Sequence, residues 1–390
     1  MKQQLNPTPP VNRNPEEKGN RSMKSNIAMA VVLVGVLLAT PALALDITEN
    51  AWIGGETGNW NVAGNWSLGR LPGTNYDAVV IGGESSQSTV TLHNKSYVDI
   101  YSLEIVSGSK LDVPFLSSRF RTGQPVSGLP PLDPGIRNAG TISVSGFFSP
   151  GPWYSPPMII DNDGGIIELT GSGQLDLWNR DYSIRGGQLN IGTGSLLRQY
   201  KTTTLTDVAV TNDGEWYSYT STGANTDLTL AGTSSFNNTG ELSIFNGTAQ
   251  SGDRYTRLVV NNTASLTNAA TGVINITRDQ ASLLGTPQAY LQMDATGFNN
   301  LGTINITSTA DQVGTAQFRA PSVGFSNAGT ITVDGPNSSI EMAGQTLTQT
   351  AGVLDVRNGG SITAATVDIN GGTLAGNGTI TGALQLAGAT

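Results

Sequence analysis

The 390-residue chain has no cysteine, a single histidine, only 13% charged residues and 6% aromatics. Without cysteine, neither disulfides nor thiolate-held metals can stabilise it. His93 has no second His or Cys to complete a metal site, so a surface role is expected for it. Basic residues are also scarce, at 20 Lys and Arg against 29 Asp and Glu, for a formal net charge of −9. An acidic surface repels phosphate backbones, so no nucleic-acid partner is expected. Long hydrophobic runs are lacking too, with one exception.

That exception is IAMAVVLVGVLLA, residues 27–39, preceded by Lys24 and followed by Pro41 and the small-residue site Ala42-Leu43-Ala44. A basic start, a short apolar core and an A-x-A exit read as a secretory signal peptide cleaved after Ala44. The run is shorter than the ~20 residues a spanning helix needs. Residues 1–22 are polar and Pro-rich, and a start at Met23 would yield a complete signal by itself. The expected location is extracytoplasmic. Membrane contact is expected only through this segment or through an anchor outside the chain.

Glycine, by contrast, is plentiful, with 49 residues. The stretch FNNLGTINIT at residues 298–307 has near-copies in FNNTGELSIF at 236–245 and FSNAGTITVD at 325–334. Aligning the Gly of each Gly-x-(Ile/Leu/Trp) gives Gly140, Gly165, Gly187, Gly214, Gly240, Gly272, Gly302, Gly329, Gly352 and Gly372, one about every 26 residues. A constant motif at irregular spacing suits a solenoid whose loops vary in length. After each Gly the residues alternate. Ile304 and Ile306 fall on one face, Thr303 and Asn305 on the other, as in a half-buried strand. Trp216/Ser218 and Leu374/Gly376 break the apolar pattern. A second short alternating run precedes most copies, and no segment has helical periodicity.

These features predict an all-β, right-handed parallel β-helix of about ten coils with an N-terminal cap. One coil cannot bury its own apolar row, so neighbouring coils must repeat it. The Asn of N-x-G (Asn138, Asn238, Asn300, Asn327) is expected to form corner ladders and to tolerate a left-handed backbone, with the following Gly supplying positive φ. Propeller blades need roughly 40 to 50 residues, more than this repeat holds.

Two stretches carry a family resemblance. GGSITAATVDINGGTLAGNGTITGALQLAG, residues 359–388, resembles the repetitive part of autotransporter passengers and filamentous-haemagglutinin-type adhesins. WIGGETGNWNVAGNWSLGRLPGTNYDAVVIGG, residues 52–83, is similar to the opening block of secreted bacterial repeat proteins, some of which end in a PEP-CTERM sorting signal. The resemblance implies a bacterial, secreted or cell-surface β-helix and says little about activity. Neither a membrane barrel nor an apolar sorting tail follows, because Thr390 falls in repeat-like sequence, so a C-terminal truncation is expected.

The expected organisation is an extension and signal at 1–44, a cap and first coils at 45–112, Pro- and aromatic-rich inserted loops at 113–157, and β-helix repeats at 158–390. Trp52, Trp60 and Trp66 are expected to cover the first coil, as terminal repeats must. Residues 113–157 hold nine of 18 prolines. Loops on a rigid scaffold are where binding residues concentrate, which makes Phe147, Phe148, Trp153 and Tyr154 the candidate contacts for a glycan or protein partner. For chemistry the sequence offers little. DNDGG (Asp161, Asn162, Asp163) is the nearest candidate for Ca2+ but lacks the remaining ligands of a calcium loop, and turn formation explains it. Asp207, Asp213, Glu215, Asp253 and Asp279 do not recur at coil period as a carboxylate pair. DRYTR (253–257) and TRDQ (277–280) read as surface ion pairs. No catalytic residue and no cofactor is predicted. The expectation is an adhesin-like or structural solenoid binding extracellular polysaccharide or matrix components. A polysaccharide lyase or glycosidase, or a glycan-binding module, is the alternative.

Overall fold

In the computed structural model the chain divides into two units, Met1–Ala44 and Leu45–Thr390. The residues described are 47–387, apart from 74–76, 84–86, 94–96, 115–117, 123–134, 152–156, 179, 221–224, 248–253, 262, 279–285, 295–296 and 310–313. The segment read as a signal peptide, with its expected cleavage after Ala44, lies outside them.

The second unit is a parallel β-helix. Its strands build three continuous parallel faces. Face F1 runs from Thr48–Ala51 through strands such as Ile136–Asn138 and Tyr255–Val260; face F2 runs from Thr57–Asn59 through Thr141–Val144 and Phe298–Asn300. Face F3 holds twelve strands, from Tyr97–Ile100 to Thr373–Gly376. Near the C-terminal side F1 and F2 merge, because Ser338–Gln349, Ser361–Ile369 and Thr379–Leu386 each serve both faces. Among the described residues F1 and F2 form one sheet of 25 strands: eleven strands for each face and three shared, which makes fourteen turns.

The physical reason for the repeat is visible in the registers. On F3 the inward column reads Leu175, Leu197, Trp216, Leu242, Ile274, Ile304, Ile331, Leu354 and Leu374, each aligned with the next. All but Leu374 are buried. On F1, Val79, Leu103, Ile136, Ile160, Ile184, Leu205, Leu230 and Val260 do the same. Burying one such aliphatic side chain contributes about 1.5–3 kcal/mol, and each needs the turn above and the turn below to be covered. Trp216, out of pattern in the sequence, is simply a wider member of the F3 column. Its partner Ser218 donates to the Gln199 carboxamide oxygen at 2.9 Å, making a satisfied buried polar pair.

The Phe and second Asn of the FNN copies also have distinct jobs. Phe298 and Phe325 stack inside F2 with centroids 4.8 Å apart and planes 9° apart. The second Asn ends the F2 strand and turns inward, fully buried. Asn212, Asn238, Asn268, Asn300, Asn327 and Gln349 form one ladder, in which each side-chain N–H donates to the next amide oxygen at 2.6–2.8 Å. The same nitrogens donate to backbone carbonyls, for example of Glu241, Val273 and Thr303. A carbonyl cannot donate, so those contacts set the orientation of every amide. The ladder opens on Ile191, the residue below Asn212 in register, and the Asn212 Oδ1 is left without a hydrogen-bond donor.

Four expectations need correction. The turns number fourteen among the described residues, not about ten, because the aligned glycines sample only ten of them. Those glycines also occupy two different corners: Gly140, Gly165 and Gly187 precede F2 strands, whereas Gly214 and its successors precede F3 strands. Asn138 correspondingly belongs to a separate ladder, donating to Asn162 at 2.7 Å at the F1–F2 corner. Third, the corner Asn residues are not left-handed; among the described non-glycine residues positive φ occurs at Asp207 and Asn358. Most of the aligned glycines have ordinary φ as well. A Cβ on Gly240 would sit 2.1 Å from the Gly214 carbonyl oxygen, so close approach of the neighbouring turn demands glycine. Fourth, segment 113–157 is not only inserted loop. Ile136–Asn138, Thr141–Val144 and Phe147–Pro150 make a complete turn, with Pro150 as the last residue of its strand.

At the N-terminal side Trp52, Trp60 and Trp66 are buried and pack edge to face, with Trp66 centroids 5.2 and 4.7 Å from the other two. The Trp66 indole N–H donates to the Trp60 carbonyl at 2.8 Å. Arg70 and Asp77 form a two-bond ion pair at 2.7 and 2.6 Å, and Asp77 raises the Arg70 pKa.

Candidate functional site

Because inward positions are filled by the columns, any binding function must use outward residues or loops. Of the four aromatics singled out in the sequence, Trp153 and Tyr154 lie outside the described residues. Phe147 points outward and is half-buried. Phe148 points inward, 2% exposed, stacked in register on Leu175, so its ring is part of the core and not a contact surface.

The structure instead assembles a row of outward aromatics on F3 that sequence reading missed. Trp178 follows the strand Gln174–Leu177, Tyr200 follows Leu196–Gln199, and Tyr219 and Phe245 lie in Glu215–Tyr219 and Glu241–Asn246, aligned in register. Successive centroids are 5.8 Å (Trp178–Tyr200), 5.9 Å (Tyr200–Tyr219) and 5.7 Å (Tyr219–Phe245). Tyr217 widens the row, 5.9 Å from Tyr219 and 5.8 Å from Phe245, with planes within 27°. Trp178 is 42% exposed and the others are half-buried. The row stops at the next turn, where Phe245 aligns with Thr277.

Two features hold it in place. The buried Tyr182 hydroxyl lies 3.0 Å from the Trp178 carbonyl and 2.5 Å from that of Pro150, and burial raises its pKa strongly. Asp176, nearly inaccessible, takes both N–H groups of the Arg198 fork at 2.8 and 2.9 Å beside the row. One outward column further along the face, Glu215 aligns with Glu241. Burial first, and the Glu241 charge second, raise the Glu215 pKa. The signal available in the sequence was an aromatic closing each of four F3 strands (LDLW, LRQY, WYSY, SIF).

A second outward cluster lies on F1. Arg257 pairs with Asp227, which together with Tyr290 raises its pKa, and its guanidinium sits 4.7 Å from the Tyr255 centroid. Arg319 covers Tyr290 at 4.0 Å and donates to the Gln317 and Gln288 carboxamides. Asp227, on the turn below, is thus the described carboxylate partner of Arg257; Asp253 and Asp279 lie outside the described residues.

Asp161 and Asp163 line a shallow groove with Glu104 and Arg137. Asn162 turns inward instead, fully buried, accepting from Asn138 and donating to the carbonyls of Gly165, Gly186 and Gln188. Its amide is therefore committed to the corner and cannot ligate a cation in that groove. His93 is half-buried at the end of an early F2 strand. Among the described residues no helix is long and apolar enough to cross a membrane, and no three acidic, His or Cys side chains converge as a metal site.

Compared with protein-family models, with curated proteins and with solved structures, the chain matches none.

Proposed function

We propose that this chain is an exported, non-catalytic surface solenoid, adhesin-like in character, that binds extracellular polysaccharide or matrix material along one side. The observation that carries the reading is the F3 row of outward aromatics, held on a stack of turns that cannot flex one residue at a time. Such a surface works by binding alone: preset rings lose little side-chain freedom when a ligand docks. Export is supported by the signal-like pattern of residues 27–44 and by the resemblance of residues 52–83 and 359–388 to bacterial secreted repeat proteins. The test is fractionation of the native cells with protease shaving and intact-mass measurement. The expected result is a species outside the cytoplasm that lacks residues 1–44. A full-length cytoplasmic species would overturn the reading.

A second reading, a polysaccharide-cleaving enzyme, is favoured by the groove where Glu104 and Asp161 each align with Arg137 on adjacent turns. A lyase needs a base and a cation for the substrate carboxylate, and these residues supply both types. Release of unsaturated uronates from acidic polysaccharide, lost in Arg137→Ala, would support it.

A further inference from the structure

We infer that the F3 aromatic row is the binding track for a neutral polysaccharide chain lying along the solenoid axis. The inference rests on the surface-binder reading and specifies its ligand.

The direction follows from the register. Trp178, Tyr200, Tyr219 and Phe245 come from four successive turns, so the row runs along the stacking direction and spans about 14 Å at the spacing of neighbouring strands. An extended chain of pyranose rings matches a linear track of this kind. The C–H faces of the sugars are apolar and pack on aromatic rings, while their hydroxyls project sideways. The flanking outward column is polar: Asp176, Arg198, Tyr217 with its hydroxyl, and Ser243 follow one another in register. Apolar rings with a few placed polar groups are the ordinary composition of a small-molecule or sugar site.

Charge selects a neutral chain. The nearest cation, Arg198, is already engaged by both oxygens of Asp176. Glu215 and Glu241 stand on the outward column beyond that one. A uronate, sulfated or phosphate-bearing polymer would have to compete with Asp176 for the Arg198 guanidinium beside the rings. Nucleic acid also stacks on aromatics, but its site needs a basic groove to follow the backbone, and no such groove lies beside the track among the described residues. A protein partner needs about 800 Å² per side with an apolar centre. This row is one to two rings wide, and the column beside it carries the Asp176–Arg198 ion pair.

The experiment is affinity electrophoresis of the full chain in gels containing β-glucan, mannan or xylan. Polygalacturonate and single-stranded DNA serve as comparisons, and pull-down on isolated envelope and matrix material runs in parallel. At least one neutral glycan should retard the protein, and Trp178→Ala should weaken that binding about tenfold or more, as expected for an aromatic anchor. Trp178→Phe should restore most of it. Trp178 is substantially exposed, so the melting temperature should hold in both variants; Tyr200→Ala provides an independent second variant. Retardation by polygalacturonate or DNA alone, no retardation by any neutral glycan, or undiminished binding in W178A and Y200A would each overturn the inference. Envelope binding that survives both variants would sink the track while leaving the surface-binder reading intact. Failure to bind either envelope material or glycan would sink both.

Discussion

Asn268 sits mid-ladder with no solvent exposure, and its replacement by Leu, similar in size and branching, should be among the most damaging conservative-looking changes in the chain. Its amide accepts from Asn238 at 2.8 Å and donates to Asn300 at 2.7 Å and to the Thr303 carbonyl at 3.1 Å. In N268L one Asn238 N–H and the Asn300 Oδ1 are stranded in a buried corner. Each buried orphan costs about 1–3 kcal/mol, giving roughly 4 kcal/mol in total. Asn212→Leu is the matched control. Its own Oδ1 is already without a donor, and Ile191 lies below it in register, so a Leu there gains an apolar neighbour and strands only the Asn238 Oδ1. Its cost should be about 1 kcal/mol. Stacked repeats need not unfold in one step, so the readout is hydrogen exchange of the amides in residues 235–310, with urea midpoints as a second measure. If the two substitutions lie within about 1 kcal/mol of each other, ladder polarity has no energetic meaning and the reasoning fails.

Ile304→Asp buries an unpaired charge between Ile274 and Ile331 and should cost more than about 4 kcal/mol; a small change in thermal melting would contradict the inward register. Gly240→Ala forces a methyl against the Gly214 carbonyl and should destabilise by about 1–3 kcal/mol, whereas Gly64→Ala, with open space around it, should be close to neutral in the same melt. Glu215 has a raised pKa in the folded protein, so its charged form disfavours folding at neutral pH, and that penalty fades as pH falls through the raised value. Glu215→Gln should therefore raise the melting temperature at pH 7 and lose its advantage in acid; an equal effect at both pH values would mean that charge is not the cause.

The inward columns were legible because Ile304/Ile306 and their counterparts alternate over enough residues to show a period of two. Face F2 was harder to read. F2 strands such as Phe298–Asn300 are three residues long, too short to declare a period, and they are recognisable only by what stacks on them. The change of corner between Gly187 and Gly214 was hidden for the same reason, since one Gly-x-Ile resembles another until its partners are known. Phe148 shows the limit most directly. Two adjacent phenylalanines must point to opposite sides, but only the register with Leu175 says which one is inside. Trp178, Tyr200, Tyr219 and Phe245 lie 19 to 26 residues apart and become a surface only after the chain has wound.

The one-way Asn ladder also bears on how the solenoid is assembled. Each completed turn from Asn212 onward presents a side-chain N–H toward the turn not yet added, and the next corner amide oxygen is the group that satisfies it. A turn that docks one residue out of step puts a polar outward residue into the core column and leaves that N–H waiting. Both penalties fall on the same local event, before any later turn can bury the error. The corner thus sets the register once per turn: the amide at one turn specifies the oxygen that its successor must present.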